Sequence, residues 1–432
     1  MRRIFIAALG TGTYVPCQYV FQGRRSSPTC YVQSAIVELF GEPAFDRAIV
    51  LVTPEAQTKH GETLRGELAA RLGDTNVVFR AISSDLADVS QQWRWFEALL
   101  DEVEQNDRLV IDLTHGYRAV PIVLSSALGY LQKVKSVELE HVLYGADLAK
   151  GTLVDMRDFY VVQEWAEAVG RLVDGADARK LSELARRAQP GSTFERLADP
   201  SVADAFRELT DVIRNVDVHS FTRIAGRALG IVTSKLATDE ANATERQLLS
   251  LVADKFAGLF AADSGDARYT REYLRVQAAA AGLLLDHGLL MQAFTVMREL
   301  VGSVGMFGVG HHQSPQVELT RVHADTFVRM CNYKRKKWTF VEKDAPRLAL
   351  LLPWYEQLDR CELTLPLHQA LAKIAELRNG FDHGWTEKAF PAATEAQPDP
   401  TAGLQRLGQQ LLEQLREVLD RLPDPTPPVA AP

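Results

Sequence analysis

Leu109-Val110-Ile111-Asp112-Leu113-Thr114-His115-Gly116-Tyr117-Arg118 opens as one kind of chain and closes as another. Leu109–Thr114 is a run of branched apolar residues, the composition of a strand buried on both faces. It ends in small polar groups, and an amphipathic segment, Ala119–Gln132, reads as the helix that follows. The same unit recurs upstream. Ile4–Leu9, Ala48–Thr53 and Val77–Ile82 read as strands, with helical segments at Tyr31–Phe40, Gly61–Leu72 and Gln91–Glu104. Val137–Tyr144 and a hairpin partner, Leu153–Val162, close the domain. Apolar strands alternating with helices predict a parallel, Rossmann-like sheet covered on both faces, spanning residues 1–162.

Such sheets bind ligands at the carboxyl ends of their strands, near the switch point. Polar small residues collect at those ends: Gly10-Thr11-Gly12-Thr13-Tyr14 after the first strand, Thr53-Pro54-Glu55 after the second, Asp112–Arg118 after the fourth and Tyr144-Gly145-Ala146 after the fifth. Glycine permits close backbone approach, hydroxyls and amides supply hydrogen bonds, and the start of the following helix favours an anion. Arg118 offers a phosphate partner, and Tyr14 offers a face on which a base can stack. Gly10-x-Gly12 also fits a plain strand-to-helix turn. It is not a dinucleotide fingerprint, because the third glycine is missing and Val15-Pro16 follows, so a nicotinamide enzyme is disfavoured. His115, at a strand end, reads as a hydrogen-bonded scaffold residue rather than a catalytic base.

The 432 residues suffice for two or three domains, and 46% hydrophobic with 24% charged residues is ordinary for a globular chain. A net charge of −8 argues against a general nucleic-acid coat while leaving room for local basic patches. Cys17, Cys30, Cys331 and Cys361 show no CxxC spacing; they fit a reducing cytoplasm and no zinc site. The apolar start breaks at Gly10-Thr11-Gly12 without a cleavage site, so it reads as a first strand rather than a signal peptide. No apolar run reaches membrane-spanning length.

Residues 163–270 read as a helical connector, with Asp199 or Ser201 as a cap and a long periodic stretch, Ala203–Leu236, broken near Val218. Residues 271–421 read as an all-α domain, with helices at Arg271–Asp286, Leu289–Gly302, Ala345–Cys361, Leu365–Leu377 and Leu404–Arg421. Residues 422–432 form a proline-rich disordered tail. The fold class is α/β plus all-α.

Ala375–Trp385 carries the chemistry of the last domain. Arg378 can hold a phosphate by charge-assisted hydrogen bonds, His383 can move a proton near neutral pH, and Asn379 can orient the scissile group. Gly380 is expected to loosen or end the helix, presenting His383 on a turn beside Arg378 and Asn379. From these residues alone, a helix C-terminus that favours a basic residue and a histidine is the preferred reading. The same spacing recurs at Arg214-Asn215-Val216-Asp217-Val218-His219, where five residues on a continuous helix turn about 500° and separate the side chains. Nothing in Ala375–Trp385 suggests a metal cage. Gly310-His311-His312-Gln313 lacks a third spaced ligand. Tyr333–Trp338 interleaves cations with aromatics, fitting either a guide for single-stranded RNA or a solvated loop. Glu299 is either a helix-surface acid or the partner of an arginine.

Asp112-Leu113-Thr114-His115-Gly116 resembles the D-x-T-H-G signature of a CRISPR-associated family with an N-terminal CARF domain, and Leu9–Tyr14 and Tyr144-Gly145-Ala146 resemble it too. Asp286–Phe294, continuing to Arg298–Val301, resembles the opening helices of HEPN ribonuclease domains, and Arg378-Asn379-x3-His383 resembles their R-N-x3-H core. The resemblance implies a cytoplasmic homodimer serving type III CRISPR antiviral defence. Its sensor would bind a cyclic oligoadenylate, a ring of four adenylates, as allosteric activator through Gly10, Thr11, Gly12, Thr13, Tyr14, Thr53, Asp112, Thr114, His115, Gly116 and Arg118. Its effector would cut single-stranded RNA without metal or cofactor. Attack by the 2′-hydroxyl would leave a 2′,3′-cyclic phosphate and a 5′-hydroxyl, with Arg378, Asn379 and His383 as catalytic residues. A non-catalytic C-terminal domain, or a sensor that also degrades its ligand, remains open.

Overall fold

A computed structural model describes residues 1–41, 45–83, 88–116, 119–147, 150–188, 193–217, 220–237, 242–259, 269–310, 317–385 and 399–425. The chain divides into two compact units, Met1–Glu164 and Trp165–Pro432.

The first unit is built on β1, Arg3–Leu9, whose last six residues are all buried. β2 (Val20–Phe21) and β3 (Arg24–Arg25) form a small hairpin that the sequence reading does not anticipate. Then come α1 (Val32–Phe40), β4 (Arg47–Val52), the short α2 (Pro54–Ala56), a π-helical turn at Gln57–Gly61, and α3 (Glu62–Leu72). β5 (Val77–Ala81), α4 (Val89–Glu102), β6 (Arg108–Asp112), α5 (Val120–Val134), β7 (Glu138–Asp147) and β8 (Thr152–Asp155) complete it. The strand order is β3-β2-β8-β7-β6-β1-β4-β5, with β1 parallel to both β4 and β6. Side chains alternate across β1. Phe5, Ala7 and Leu9 join a core with Val32, Ile36, Leu64 and Leu68 from α1 and α3. Ile4, Ile6 and Ala8 join another with Trp95, Leu99, Leu124 and Leu128 from α4 and α5. Burial on both faces is why the strand is continuously apolar.

After the β2–β3 hairpin at the far edge, the chain adds β4 and β5 on one side of β1 and then β6 on its other side. The switch point therefore lies between the carboxyl ends of β1 and β6, where an open α/β sheet leaves its crevice. The expected hairpin partner Leu153–Val162 is corrected: the strand stops at Asp155, and Arg157–Gly175 is helix α6. Val161, Trp165, Ala168, Val169 and Leu172 are buried at helical spacing, and that packing overrides the strand propensity of Phe159–Val162.

The second unit is helical: α7 (Arg179–Arg187), α8 (Pro200–Arg214), α9 (Phe221–Leu236), α10 (Ala243–Phe256), α11 (Arg271–Asp286), α12 (Leu290–Gly308), α13 (Val317–Asn332), α14 (Ala345–Arg360), α15 (Thr364–Asp382) and α16 (Pro400–Asp420). Asp199 caps α8, accepting from the Ser201 N–H at 2.8 Å. The break expected near Val218 separates α8 from α9, with Val216 at φ +56°. α12 is a buried helix with small residues at its crossings. A Cβ on Gly305 would lie 2.4 Å from Phe327, and one on Gly308 2.0 Å from Trp354, whose Nε1–H donates to the Val304 carbonyl at 3.1 Å.

Candidate functional site

At the β1–β6 switch point Asp112, the last residue of β6, is wholly buried. Its Oδ1 accepts the Thr114 N–H at 2.9 Å, and its Oδ2 is buried without a partner. Burial pushes its carboxyl up to about 6, against the pull of the Thr114 bonds. The Thr114 hydroxyl accepts the Gly145 N–H at 2.9 Å, tying the turn to β7. Gly116, at φ +116°, sits so close to β1 that a Cβ would meet the Ala8 methyl at 2.8 Å. The Asp-x-Thr-x-Gly spacing thus fixes the turn after β6 against its two neighbours. Thr53 is buried as well; its Oγ1 accepts the Ala56 N–H as the cap of α2. Asp112 and Thr53 therefore stand beneath the crevice, while Thr11, Gly12, Thr13 and Gly116 are exposed at its surface. Arg118 lies outside the described residues.

Tyr14, half-buried, is held by its own loop and by neighbouring rings. Its hydroxyl accepts the Gly10 N–H and donates to the Gly10 carbonyl, both at 3.0 Å. Its ring lies 4.7 Å from both His60 and His115 and 5.6 Å from Tyr31. Burial raises the phenol to about 12 and lowers His115, so near neutral pH both are uncharged. Tyr14 braces the loop. Beside it opens a cavity of about 330 Å³ lined by Gly12, Thr13, Tyr14, Tyr19, His115 and the half-buried Cys17 and Cys30.

Lys59 and His60, on the π-helical turn, also reach this loop, and the sequence reading passes over them. Lys59 Nζ donates to the Thr11 and Gly12 carbonyls at 2.8 and 3.2 Å. His60 Nε2 lies 2.9 Å from the Gly12 carbonyl. A cationic pair just beyond the polar end of a strand was the available signal.

In the second unit, α15 runs through Gly380 to Asp382, and His383 is its C-cap. Of the two expectations for Gly380, that it ends the helix is corrected, since the helix runs on through it. Gly380 is buried because the Trp385 indole covers it; a Cβ there would meet that ring at 2.6 Å. The reversal falls at Gly384 and Trp385, with φ +55° and +57°. Phe381 anchors this end, its ring 6.1 Å from Phe294 of α12 and 5.3 Å from Trp385. The His383 N–H donates to the Asn379 carbonyl at 3.0 Å. Arg378 pairs with Asp382 at 3.3 Å, and its Nε is buried without an acceptor. The side chains of Asn379, Asp382 and His383 are exposed. The helix therefore continues to Asp382, and His383 follows as its cap.

Elsewhere, Arg214 is committed to the Ala176 carbonyl at 3.3 Å and Asp177 at 3.8 Å. Its companion His219, and Gly310's neighbours His311–Gln313, lie outside the described residues. Glu299 pairs with Arg298, which also holds Asp325. Trp338 is tied down by the Met330 and Tyr333 carbonyls and packs on Tyr355, leaving Lys334, Lys336 and Lys337 exposed. Among the described residues no group of acids, histidines and cysteines could hold a metal, and no helix is long and apolar enough to cross a membrane.

Over 105 residues the chain is 23% identical to the CRISPR-associated protein MJ1674 of Methanocaldococcus jannaschii. The likeness is to a CRISPR-associated protein. The matched stretch is 23% of this chain and 17% of that relative's length. Among solved structures, Enterococcus italicus Csm6 bound to cyclic hexa-2′-fluoro-hexa-dAMP is similar at a TM-score of 0.44 and 10% identity, over 98% of this chain and 100% of that one. No family model matches.

Proposed function

We propose that this chain is a CRISPR-associated RNA-cleaving sensor: its first unit, a CARF-type domain, binds a cyclic oligoadenylate, and its second, a HEPN-type domain, then cuts single-stranded RNA. The observation that carries the reading is the crevice at the β1–β6 switch point. An exposed glycine loop, a turn fixed by the Asp112–Thr114 spacing and a cavity meet there. The sequence likeness to a CRISPR-associated protein agrees with it.

A cavity of about 330 Å³ is near the small end of ligand pockets and too small for a ring of four adenylates. Two copies would each supply half the site, and an isologous dimer presents the same patch from both sides. α5 follows the Asp112–Gly116 turn directly and exposes Ile122 (71%), Tyr130 (46%) and Val134 (54%), apolar surface suited to a second copy.

In the second unit Arg378, Asn379 and His383 act on RNA. The 2′-hydroxyl releases its proton to water as its oxygen bonds to the adjacent phosphorus and the P–O5′ bond breaks, giving a 2′,3′-cyclic phosphate and a 5′-hydroxyl. Arg378 stabilises the charge on the phosphorane through its guanidinium, whose present partner is the neighbouring Asp382. His383, exposed at the helix end, delivers a proton to the departing 5′-oxygen. Asn379 orients the scissile group, and its backbone carbonyl holds the His383 N–H. Convergence of two such helix ends across a dimer supplies a second set of the same groups. Ligand binding licenses cleavage by favouring the state in which those ends meet.

The test is a fluorogenic single-stranded RNA assay with cyclic tetra- and hexa-adenylate, with a chelator present, on the wild-type chain and His383→Ala. Ring-stimulated cleavage that falls about 10²–10⁴-fold in His383→Ala is expected. RNA turnover that no ring stimulates, or that His383→Ala retains, counts against the proposal.

A further inference from the structure

The charge of Lys59 meets no carboxylate at ion-pair distance among the described residues. Its ammonium has three donors. The Thr11 and Gly12 carbonyls accept from it at 2.8 and 3.2 Å, so one donor is left at an exposed side chain. The neighbouring His60 completes the grip. A carbonyl can only accept, so Nε2, 2.9 Å from the Gly12 oxygen, carries the ring hydrogen. Nδ1 lies 3.3 Å from the Tyr31 hydroxyl, and the ring packs 4.7 Å from Tyr14. Both residues sit on one five-residue π-helical turn, Gln57–Gly61, set between α2 and α3. Such wide turns concentrate at functional sites.

A positive charge held over an exposed glycine loop by neutral oxygens, beside a cavity, is an arrangement completed by an anion. We propose that Lys59 is the cation that takes the ligand's phosphate at this site, and that His60 is the positioning residue that keeps the Gly12 carbonyl in place. The proposal rests on the nucleotide reading of the crevice and adds to it the residue that answers the ligand's charge. Phosphate can bind without breaking the clamp, because the third donor is available while two hold the loop. Lysine acts here as a point charge rather than a bidentate fork, so arginine can substitute in charge but not in the two-carbonyl grip.

The experiment is calorimetric titration of the full chain with cyclic tetra-adenylate, cyclic hexa-adenylate and linear di-adenylate at low and high salt, for wild type, Lys59→Met and Lys59→Arg. Lys59→Met is expected to lose about ten- to a hundred-fold in affinity at low salt. The loss should shrink at high salt, where screening already weakens the wild-type contact. Lys59→Arg should recover much of it. Lys59→Met binding like wild type overturns the assignment. So does a loss equal at both salt concentrations and accompanied by a less stable first unit, which marks Lys59 as a structural brace. If wild type binds linear di-adenylate through Lys59 but neither ring, the assignment stands and the cyclic-ligand reading falls. If wild type binds none of the three, both fall.

Discussion

Replacing Asp112 by asparagine tests the physical account of the crevice most directly. The carboxyl is wholly buried, one oxygen has no partner, and burial raises it to about 6. An unfolded aspartate releases its proton near 4. Between those values the folded chain holds more protons than the unfolded one. Stability from this group is therefore complete below about pH 4 and is lost as pH climbs to about 6. A carboxyl raised from about 4 to about 6 costs the folded state about 3 kcal/mol at pH 7. In Asp112→Asn the new side chain keeps an oxygen for the Thr114 N–H and has no charge to bury. Its amide would face the position where Oδ2 finds no partner, a cost of about 1–3 kcal/mol that is the same at every pH. The pH dependence of the difference isolates the charge. Relative to wild type, Asp112→Asn should gain about 3 kcal/mol between pH 4 and pH 7. Native-state hydrogen exchange of the slowest β1 and β6 amides would read that gain as slower exchange. A difference that stays flat from pH 4 to pH 7 would show that Asp112 titrates as an ordinary carboxylate, and the burial argument for this turn would be wrong.

Two further substitutions separate packing from chemistry in the second unit. Asp382→Asn removes the half-exposed partner of Arg378 and should change stability by less than about 0.5 kcal/mol, while the KM for RNA falls because no carboxylate competes with phosphate; a raised KM would mean that Asp382 positions the arginine. Gly308→Ala should cost about 1–3 kcal/mol in denaturant unfolding of that unit, since its Cβ meets the Trp354 ring at 2.0 Å, whereas Gly230→Ala, with nothing within 4 Å in the middle of α9, should stabilise by about 0.5–1 kcal/mol; equal effects would refute the close-approach account.

The parallel sheet was legible because β1, β4 and β6 are buried on both faces and so are written in unbroken apolar residues. Arg271–Asp286 was legible because its buried positions keep helical spacing from end to end. What escaped depended on contacts distant in sequence. The β2–β3 hairpin has two residues per strand, too few for any alternation to show. α13 carries a polar first half, and only its end, with Phe327, Met330 and Cys331, is written as core. Glycine's poor helix propensity predicted a break at Gly380, about 1 kcal/mol against alanine, but the Trp385 ring occupies the space that any other side chain would need. The Lys59 and His60 grip spans residues 47 and 48 apart, beyond the reach of any local pattern.

The duplicated Arg-Asn-x3-His spacing shows why a motif has to be read through what its groups are already doing. At the first copy the guanidinium is consumed by the fold. Arg214 reaches back to the end of α6, where Ala176 supplies a carbonyl and Asp177, held at about 2 chiefly by its Arg179 hydrogen bond, supplies a fixed negative charge. Arg179 already grips Asp177 through both oxygens at 2.8 Å, so Arg214 adds a longer-range attraction there and its own hydrogen bond goes to the Ala176 carbonyl. At the second copy the partner lies within the motif itself. Arg378 and Asp382 are one helical turn apart, an exposed pair of the kind worth only a few tenths of a kcal/mol, and Nε still lacks an acceptor. A phosphate oxygen can therefore displace Asp382 from the Arg378 guanidinium at little cost. The two copies therefore differ in what holds the arginine: Arg214 is tied to the end of another helix, and Arg378 only to its own.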